Sequence, residues 1–401
     1  MEAEGYRSMP PRFRVDRRSF LKVSGAVGAG LLLGNPTAWA EEKTSKERTK
    51  TNIDEALAVP KTPHSLPGPF PGRVVHVKDP QAIQEDKPCA EVLQAMFSRG
   101  IRTLTGADEK AAFDLLFAKD DVIGIKVNPV GPGLISTNHE VVDAILLWLA
   151  ANGVPRDHVV IWDRFDSMLR DAGFTGERYP GVGIEGLQTM DEAAASGESE
   201  DDSRWLDEEG NHISASNFDP DVYYWADVEG PKEKQYLNQH VFSGKHSYFG
   251  KLLTKSLTKI INVSVFKNSG NGISMATKNI GYGAICNTGR LHNPLFFDVC
   301  TEVLAFPVVR DKMVLSVTDG LWGQYDGGPM SNAAARYAYN TLFFATDPFA
   351  LDTVCHHIMV GKRKSMGIEV NENPRYTEYL RYAERLGLGV GDPERIKVIH
   401  A

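Results

Sequence analysis

Short β-branched runs alternate along this chain with amphipathic stretches, and the alternation predicts an α/β fold with a mainly parallel sheet flanked by helices. Val74–Val77 reads as a strand, Ala90–Arg99 and Glu109–Phe117 as helices, and Val122–Val127 as a strand closed by Asn128-Pro129 and a glycine-rich turn. A helix then opens at Thr137-Asn138, carries Val141, Val142, Ile145, Leu146 and Leu149 on one face, and stops at Asn152-Gly153 before the strand Val159–Trp162. Short connections make this a βαβ unit with parallel strands and a right-handed crossover, which puts the loop Asn128–His139 at a strand's C-terminal end.

The rhythm fades from Glu185 to Asp227, where residues 191–210 hold nine acids against the single basic Arg204, the composition of an exposed insertion. Order is expected again from Tyr236 to Phe242, then a helix around Tyr248–Leu257, the strand Ile260–Phe266 and a helix-like stretch Ile273–Ile280. Pro294–Phe306 reads as an apolar helix, and Met313–Val317 and Leu342–Ala345 as strands ending in Asp319-Gly320 and Asp347-Pro348. Helices over Phe349–Val360 and Tyr376–Leu386 and an edge strand Ile396–Ile399 complete the chain. No repeat of solenoid period occurs. The pattern fits one large domain or two closely joined α/β lobes with an irregular insertion at about 185–227.

Two segments stand outside this rhythm. Asp16-Arg17-Arg18-Ser19-Phe20-Leu21-Lys22 leads into a glycine-rich apolar run Val23–Leu33 and then Ala38-Trp39-Ala40, which predicts a twin-arginine signal over residues 1–40, cleaved before Glu41. The run is too short for a membrane helix, which needs about 20 apolar residues. The expected partner is therefore the twin-arginine translocase, the destination is periplasmic or extracytoplasmic, and no stable membrane span remains after cleavage. Residues 41–72, ending Pro67-Gly68-Pro69-Phe70-Pro71-Gly72, have the composition of a proline-rich tether or surface arm, and the α/β domain is expected over 73–401.

Charge and cysteine usage narrow the chemistry. A net charge of -8 with no basic block after the signal argues against nucleic acid as a partner. Cys89, Cys286, Cys300 and Cys355 lie far apart with no C-x-x-C pair, which argues against an iron-sulfur cluster and leaves disulfide pairing or free thiols both open. Polar residues instead gather after the apolar strands: Lys126 and Asn128, Asp163 and Asp166, Lys267 and Asn268, Asp319, Asp347. In an open parallel sheet such positions converge on one edge, where ligands bind.

Lys126, Lys267 and Lys278, with Asn128 and Asn279, are the candidates for holding a small anionic substrate or cofactor, and Thr137, Asn138 and the following helix amides would complete a cradle. Asp319 and Asp347 are the candidate catalytic carboxylates; Asp319, Asp352 and His139 are the candidate ligands if a metal ion is bound, with Asp326, His292, His356 and His357 as further donors. For Asp347-Pro348 a helix cap with proline in the first turn is the competing reading. Gly270-Asn271-Gly272 and Gly281-Tyr282-Gly283 match no complete nucleotide-binding pattern, and no G-x-S-x-G elbow is present.

The order Ile125-Lys126-Val127-Asn128, Thr137-Asn138-His139, Ala276-Thr277-Lys278-Asn279-Ile280-Gly281, Thr318-Asp319-Gly320, Gly327-Gly328-Pro329 and Thr346-Asp347-Pro348-Phe349-Ala350-Leu351-Asp352 resembles the domain of unknown function 362 family, over roughly Asp121 to Ile399. The resemblance implies the twin-arginine type of that family, without its appended ferredoxin module. Two functions stay open from sequence: an enzyme acting on a small anion at the strand-end edge, and a non-catalytic ligand-binding or accessory protein.

Overall fold

A computed structural model describes residues 48–188, 217–228, 245–292 and 295–401. The predicted signal at 1–40, most of the acidic insertion and the stretch Tyr236–Phe242 lie outside the described residues.

The strands in chain order are β1 (Arg73–Lys78), the short pair β2 (Ile83–Gln84) and β3 (Lys87–Pro88), β4 (Ile123–Lys126), β5 (Val159–Phe165), β6 (Gly183–Gln188), β7 (Phe218–Trp225), β8 (His246–Gly250), β9 (Lys259–Ser269), β10 (Gly272–Ile273), β11 (Met313–Gln324), β12 (Arg336–Ala345) and β13 (Lys397–His400). The main sheet runs β13-β1-β12-β11-β9-β4-β5-β6, with β10 paired to β9. β11, β9, β4, β5 and β6 are mutually parallel, and β12 is antiparallel to both of its neighbours. The expected βαβ unit is in place: Ile123 pairs with Val159 in a parallel register across the helix His139–Ala151.

Burial explains the order. β9 and β11 are buried along nearly their whole length, the signature of strands covered on both faces. On one face, Val75, Ile125, Ile161, Ile261 and Val317 pack under Phe97, Phe113 and Ile145 of the helices Ala90–Thr105, Glu109–Leu116 and His139–Ala151. On the other, Trp162 and Ile260 pack with Ile280, Val303 and Leu380, from the helices Ala276–Gly281, Val299–Ala305 and Glu378–Arg385.

Three expectations are corrected. The helix foreseen around Tyr248–Leu257 is strand β8 followed by a turn of π-helix at Leu252–Ser256; Ser247 and Phe249 are buried while His246 and Tyr248 are not, a period of two that pairs β8 with β7. The apolar helix foreseen from Pro294 is two short helices, Val299–Ala305 and Pro307–Arg310, the second begun by Pro307 because proline lacks the N–H that would continue the first. The described part of the proline-rich arm, from Arg48, is not a loose tether: it contains the helix Ile53–Ala58 and buries Ile53, Ala56 and Leu66. The buried Arg310 guanidinium donates to the carbonyls of Ala56, Val59 and Pro60, so a single cation gathers the backbone oxygens that proline-rich sequence leaves unpaired.

Asp347 ties that segment to the core. Its carboxylate accepts from Phe349 and Ala350 at the start of the helix Pro348–Ser365, from Gly72 ahead of β1, and from Val390 near the C-terminus, at 2.9–3.1 Å. Asp347→Ala should leave four buried N–H groups without their acceptor and lower stability by about 3 kcal/mol or more; a urea midpoint within error of wild type would remove Asp347 from this role.

Candidate functional site

The C-terminal ends of β4, β5 and β9 bring together most of the lysines and asparagines singled out from sequence. Lys126 Nζ lies 2.5 Å from Asp163 Oδ1, 3.0 Å from Asn279 Oδ1 and 2.8 Å from the Val127 carbonyl. Asn279 Oδ1 also accepts from Asn128 Nδ2 at 3.3 Å, and Asn128 Oδ1 in turn accepts from Lys267 Nζ at 3.0 Å. The chain Asp163–Lys126–Asn279–Asn128–Lys267 is thus one hydrogen-bonded network across three strand ends and a helix. Gly283 makes room for it, since a Cβ there would stand 2.4 Å from Lys126 Cε and 2.3 Å from the Asn279 carbonyl oxygen.

Lys126 and Lys267 are each 1% exposed, whereas Lys278 is half-buried and lies over the rings of Phe296 and Tyr282, 4.4 and 5.5 Å from their centroids. Neither Lys267 nor Lys278 has a carboxylate partner among the described residues. Burial pulls Lys267 down to about 7, helped by the Lys278 and Lys126 charges and opposed by Asp163. Burial likewise lowers Lys278 to about 8. Lys126 is also lowered by burial, against the pull of Asp163.

Thr137 and Asn138 behave differently from the cradle expected for an external anion. Thr137 closes the loop after β4, its Oγ1 accepting from Asn128 N at 2.8 Å and donating to the Val263 carbonyl at 3.2 Å. Asn138 precedes the helix His139–Ala151, but its N and Nδ2 both donate to Asp319 Oδ2 at 2.8 Å. The place for an anion at that helix start is filled by the protein's own carboxylate. Asp319 also accepts from Leu321 N and sits inside β11 rather than at its end, and burial raises it to about 6.

Asp352 repeats the arrangement at the helix carrying Lys278 and Asn279. It accepts from Ala276 N and Thr277 N at 2.9 Å and from Thr277 Oγ1 at 2.6 Å, and burial raises it to about 6, as it does Asp347. The candidate catalytic pair is therefore not assembled: Asp347 holds helix amides and chain segments, and Asp319 holds Asn138. His139 Nδ1 meets the Tyr179 hydroxyl at 2.8 Å and its Nε2 meets the Ala172 carbonyl at 2.9 Å. Asp319, Asp352 and His139 do not converge as metal ligands, and among the described residues no cluster of three or more metal-ligating side chains occurs.

The remaining donors are scattered. Asp326 pairs with Arg363, His292 packs on Tyr282 and Phe296 beside Lys278, and His356 and His357 border a shallow surface hollow with Thr353 and Thr377, away from the lysine network. Sequence reasoning missed Asn262 as a member of the site. Its Oδ1 accepts from Asn279 Nδ2 at 2.8 Å and its Nδ2 donates to the Ala276 carbonyl at 2.9 Å, fixing the helix to β9. The signal was an asparagine inside the run Ile260-Ile261-Asn262-Val263, where a strand covered on both faces otherwise takes apolar residues.

A family model described as Domain of unknown function (DUF362) matches residues 123–357, a span that holds every member of the network. A model of the twin-arginine translocation pathway signal sequence matches residues 14–34. No curated protein matches, and no solved structure matches. No described helix is long and apolar enough to cross a membrane.

Two measurements separate scaffold from site. Lys126→Met strands the buried Asp163 carboxylate and should cost about 3–5 kcal/mol, with Lys126→Met/Asp163→Asn recovering part of it; additive losses in denaturant melts would disprove the pairing. For Lys267 the folded value of about 7 lies below an unfolded value of about 10.4, so the unfolded chain holds the extra proton between them. The resulting penalty is complete below about pH 7 and fades as pH rises toward 10.4. Lys267→Met should therefore gain stability relative to wild type as pH is lowered from about 9 to about 6; a pH-independent difference would contradict the buried, unpaired ammonium.

Proposed function

This chain belongs to the domain of unknown function 362 family, and from that premise we propose that it is an exported enzyme that binds a small anionic substrate at the lysine-lined strand ends. The observation that carries the reading is the pair of lysines, Lys267 and Lys278, gathered beside Lys126 without carboxylate partners among the described residues. A protein of neutral function gains nothing from such a cluster, because each buried ammonium costs desolvation energy and repels the next. An anion placed among them would offset both costs. Asn128, held by the network, would orient it through the amide N–H that its bond to Asn279 leaves over, while Lys126 stays bound to Asp163 and keeps the strand ends in register.

Export by the twin-arginine signal supports a place of work outside the cytoplasm, and we place it in the periplasm.

An anion raises the proton affinity of neighbouring amines, so binding at about pH 8 should take up close to one proton, chiefly at Lys267, which is mostly neutral there. Calorimetry of phosphate, acetate and pyruvate binding in two buffers of different ionisation enthalpy measures this directly. Saturating anion should also raise stability by about 3 kcal/mol at a hundredfold excess over Kd, and Lys267→Met and Lys278→Met should each weaken it. If none of the anions binds, or if binding is indifferent to both lysines, the reading fails.

A further inference from the structure

We propose that Lys267 is a catalytic residue that forms an imine with the carbonyl carbon of a small 2-oxo acid whose carboxylate is held by Lys278. The inference rests on the anion site argued above and names its substrate class.

The three lysines are not equivalent. Lys126 is committed to Asp163, and the half-buried Lys278 lies over aromatic rings. Lys267 alone is buried against a neutral amide, giving one hydrogen bond to Asn128 Oδ1 at 3.0 Å, with no carboxylate among the described residues to hold it as an ammonium. A lysine becomes a nucleophile when desolvation and neighbouring cations favour the free amine. Both conditions are met here: Lys267 is drawn to about 7 by burial and by the Lys278 and Lys126 charges.

The ligand that uses both features has a carboxylate for Lys278 and an adjacent carbonyl for Lys267. The Lys267 lone pair adds to the carbonyl carbon as one amine proton passes to the carbonyl oxygen, giving a carbinolamine; the second amine proton then passes to that same oxygen, the C–O bond breaks, and water leaves as the C=N bond forms. No oxidant or reductant is consumed. The imine nitrogen takes its further proton from solvent, and the cation so formed lies beside the substrate carboxylate.

Trapping tests this on the mature exported protein. With pyruvate and sodium cyanoborohydride at about pH 7.5, peptide mass mapping should find Lys267 carrying the elements of pyruvic acid less one oxygen, labelled at least about tenfold over any surface lysine, since a lysine near 10.4 is almost wholly protonated there. Acetone, which lacks the carboxylate, should label Lys267 far less, and Lys278→Met should reduce the pyruvate adduct. Lys267→Arg keeps the charge and should still bind pyruvate by calorimetry while forming no adduct. Labelling spread over surface lysines, equal labelling by acetone, or no adduct despite measured pyruvate binding would each overturn the imine while leaving the anion site standing. Absence of both adduct and anion binding would remove the site as well. Mapping on the wild type decides the matter even if a variant fails to fold.

Discussion

Buried aspartates hold the backbone N–H groups at, or just ahead of, three helix starts in this protein. Asp319 takes Asn138 at the start of His139–Ala151, Asp352 takes Ala276 and Thr277, and Asp347 takes Phe349 and Ala350. A helix start buried without a partner leaves several unsatisfied donors and a partial positive charge, so the fold depends on these carboxylates being present. Their raised proton affinities, about 6 in each case, record the same competition: desolvation works against the charge and the amide donors hold it in place. The arrangement positions the site indirectly. Asp352 fixes the helix that carries Lys278 and Asn279, and Asp319 fixes the loop that follows Lys126 and Asn128.

Those carboxylates face helix amides rather than lysines, and among the described residues this leaves Lys267 and Lys278 without a carboxylate partner. Asp163 satisfies Lys126, and the asparagine chain through Asn279 and Asn128 passes hydrogen bonds on to Lys267 without passing on a negative charge. Amide groups can satisfy the donors of an ammonium but cannot neutralise it. Breaks of this kind in the agreement between burial and pairing are where function is sought in a fold that is otherwise locally consistent.

Much of this was legible in the chain. Strand and helix periods placed β1, β4, β5, β9 and the helix after Asn138, and the recurrence of polar residues after apolar runs picked out Lys126, Asn128, Asp163 and Lys267. The aspartates were harder to assign, because an acid before a helix serves equally as cap, base or ligand, and only burial and partners separate these roles. For Asp347 the competing cap reading is the one that the four backbone donors favour. The Thr137-Asn138 cradle looked vacant for the same reason: its occupant, Asp319, lies 181 positions away in sequence. The docking of residues 48–72 was hidden because proline-rich composition reports the absence of regular hydrogen bonds, while the acceptor-gathering role of Arg310 is a tertiary fact.

Lysines near neutrality also make the site responsive to its surroundings. As pH rises through about 7 and 8, Lys267 and then Lys278 lose the proton that an anion would pair with, so affinity for a bare anion should decline over that window. A nucleophilic role for Lys267 needs the opposite state, a free amine beside a still-charged Lys278. Position favours that division: Lys267 is the more deeply buried of the two and also feels the Lys126 charge, so it gives up its proton more readily than Lys278. Lys126 contributes to this separation from the other side, since its charge repels a proton from Lys267 while its own is kept by Asp163. On this geometry the buried ion pair is the fixed charge against which the lysine beside it is tuned.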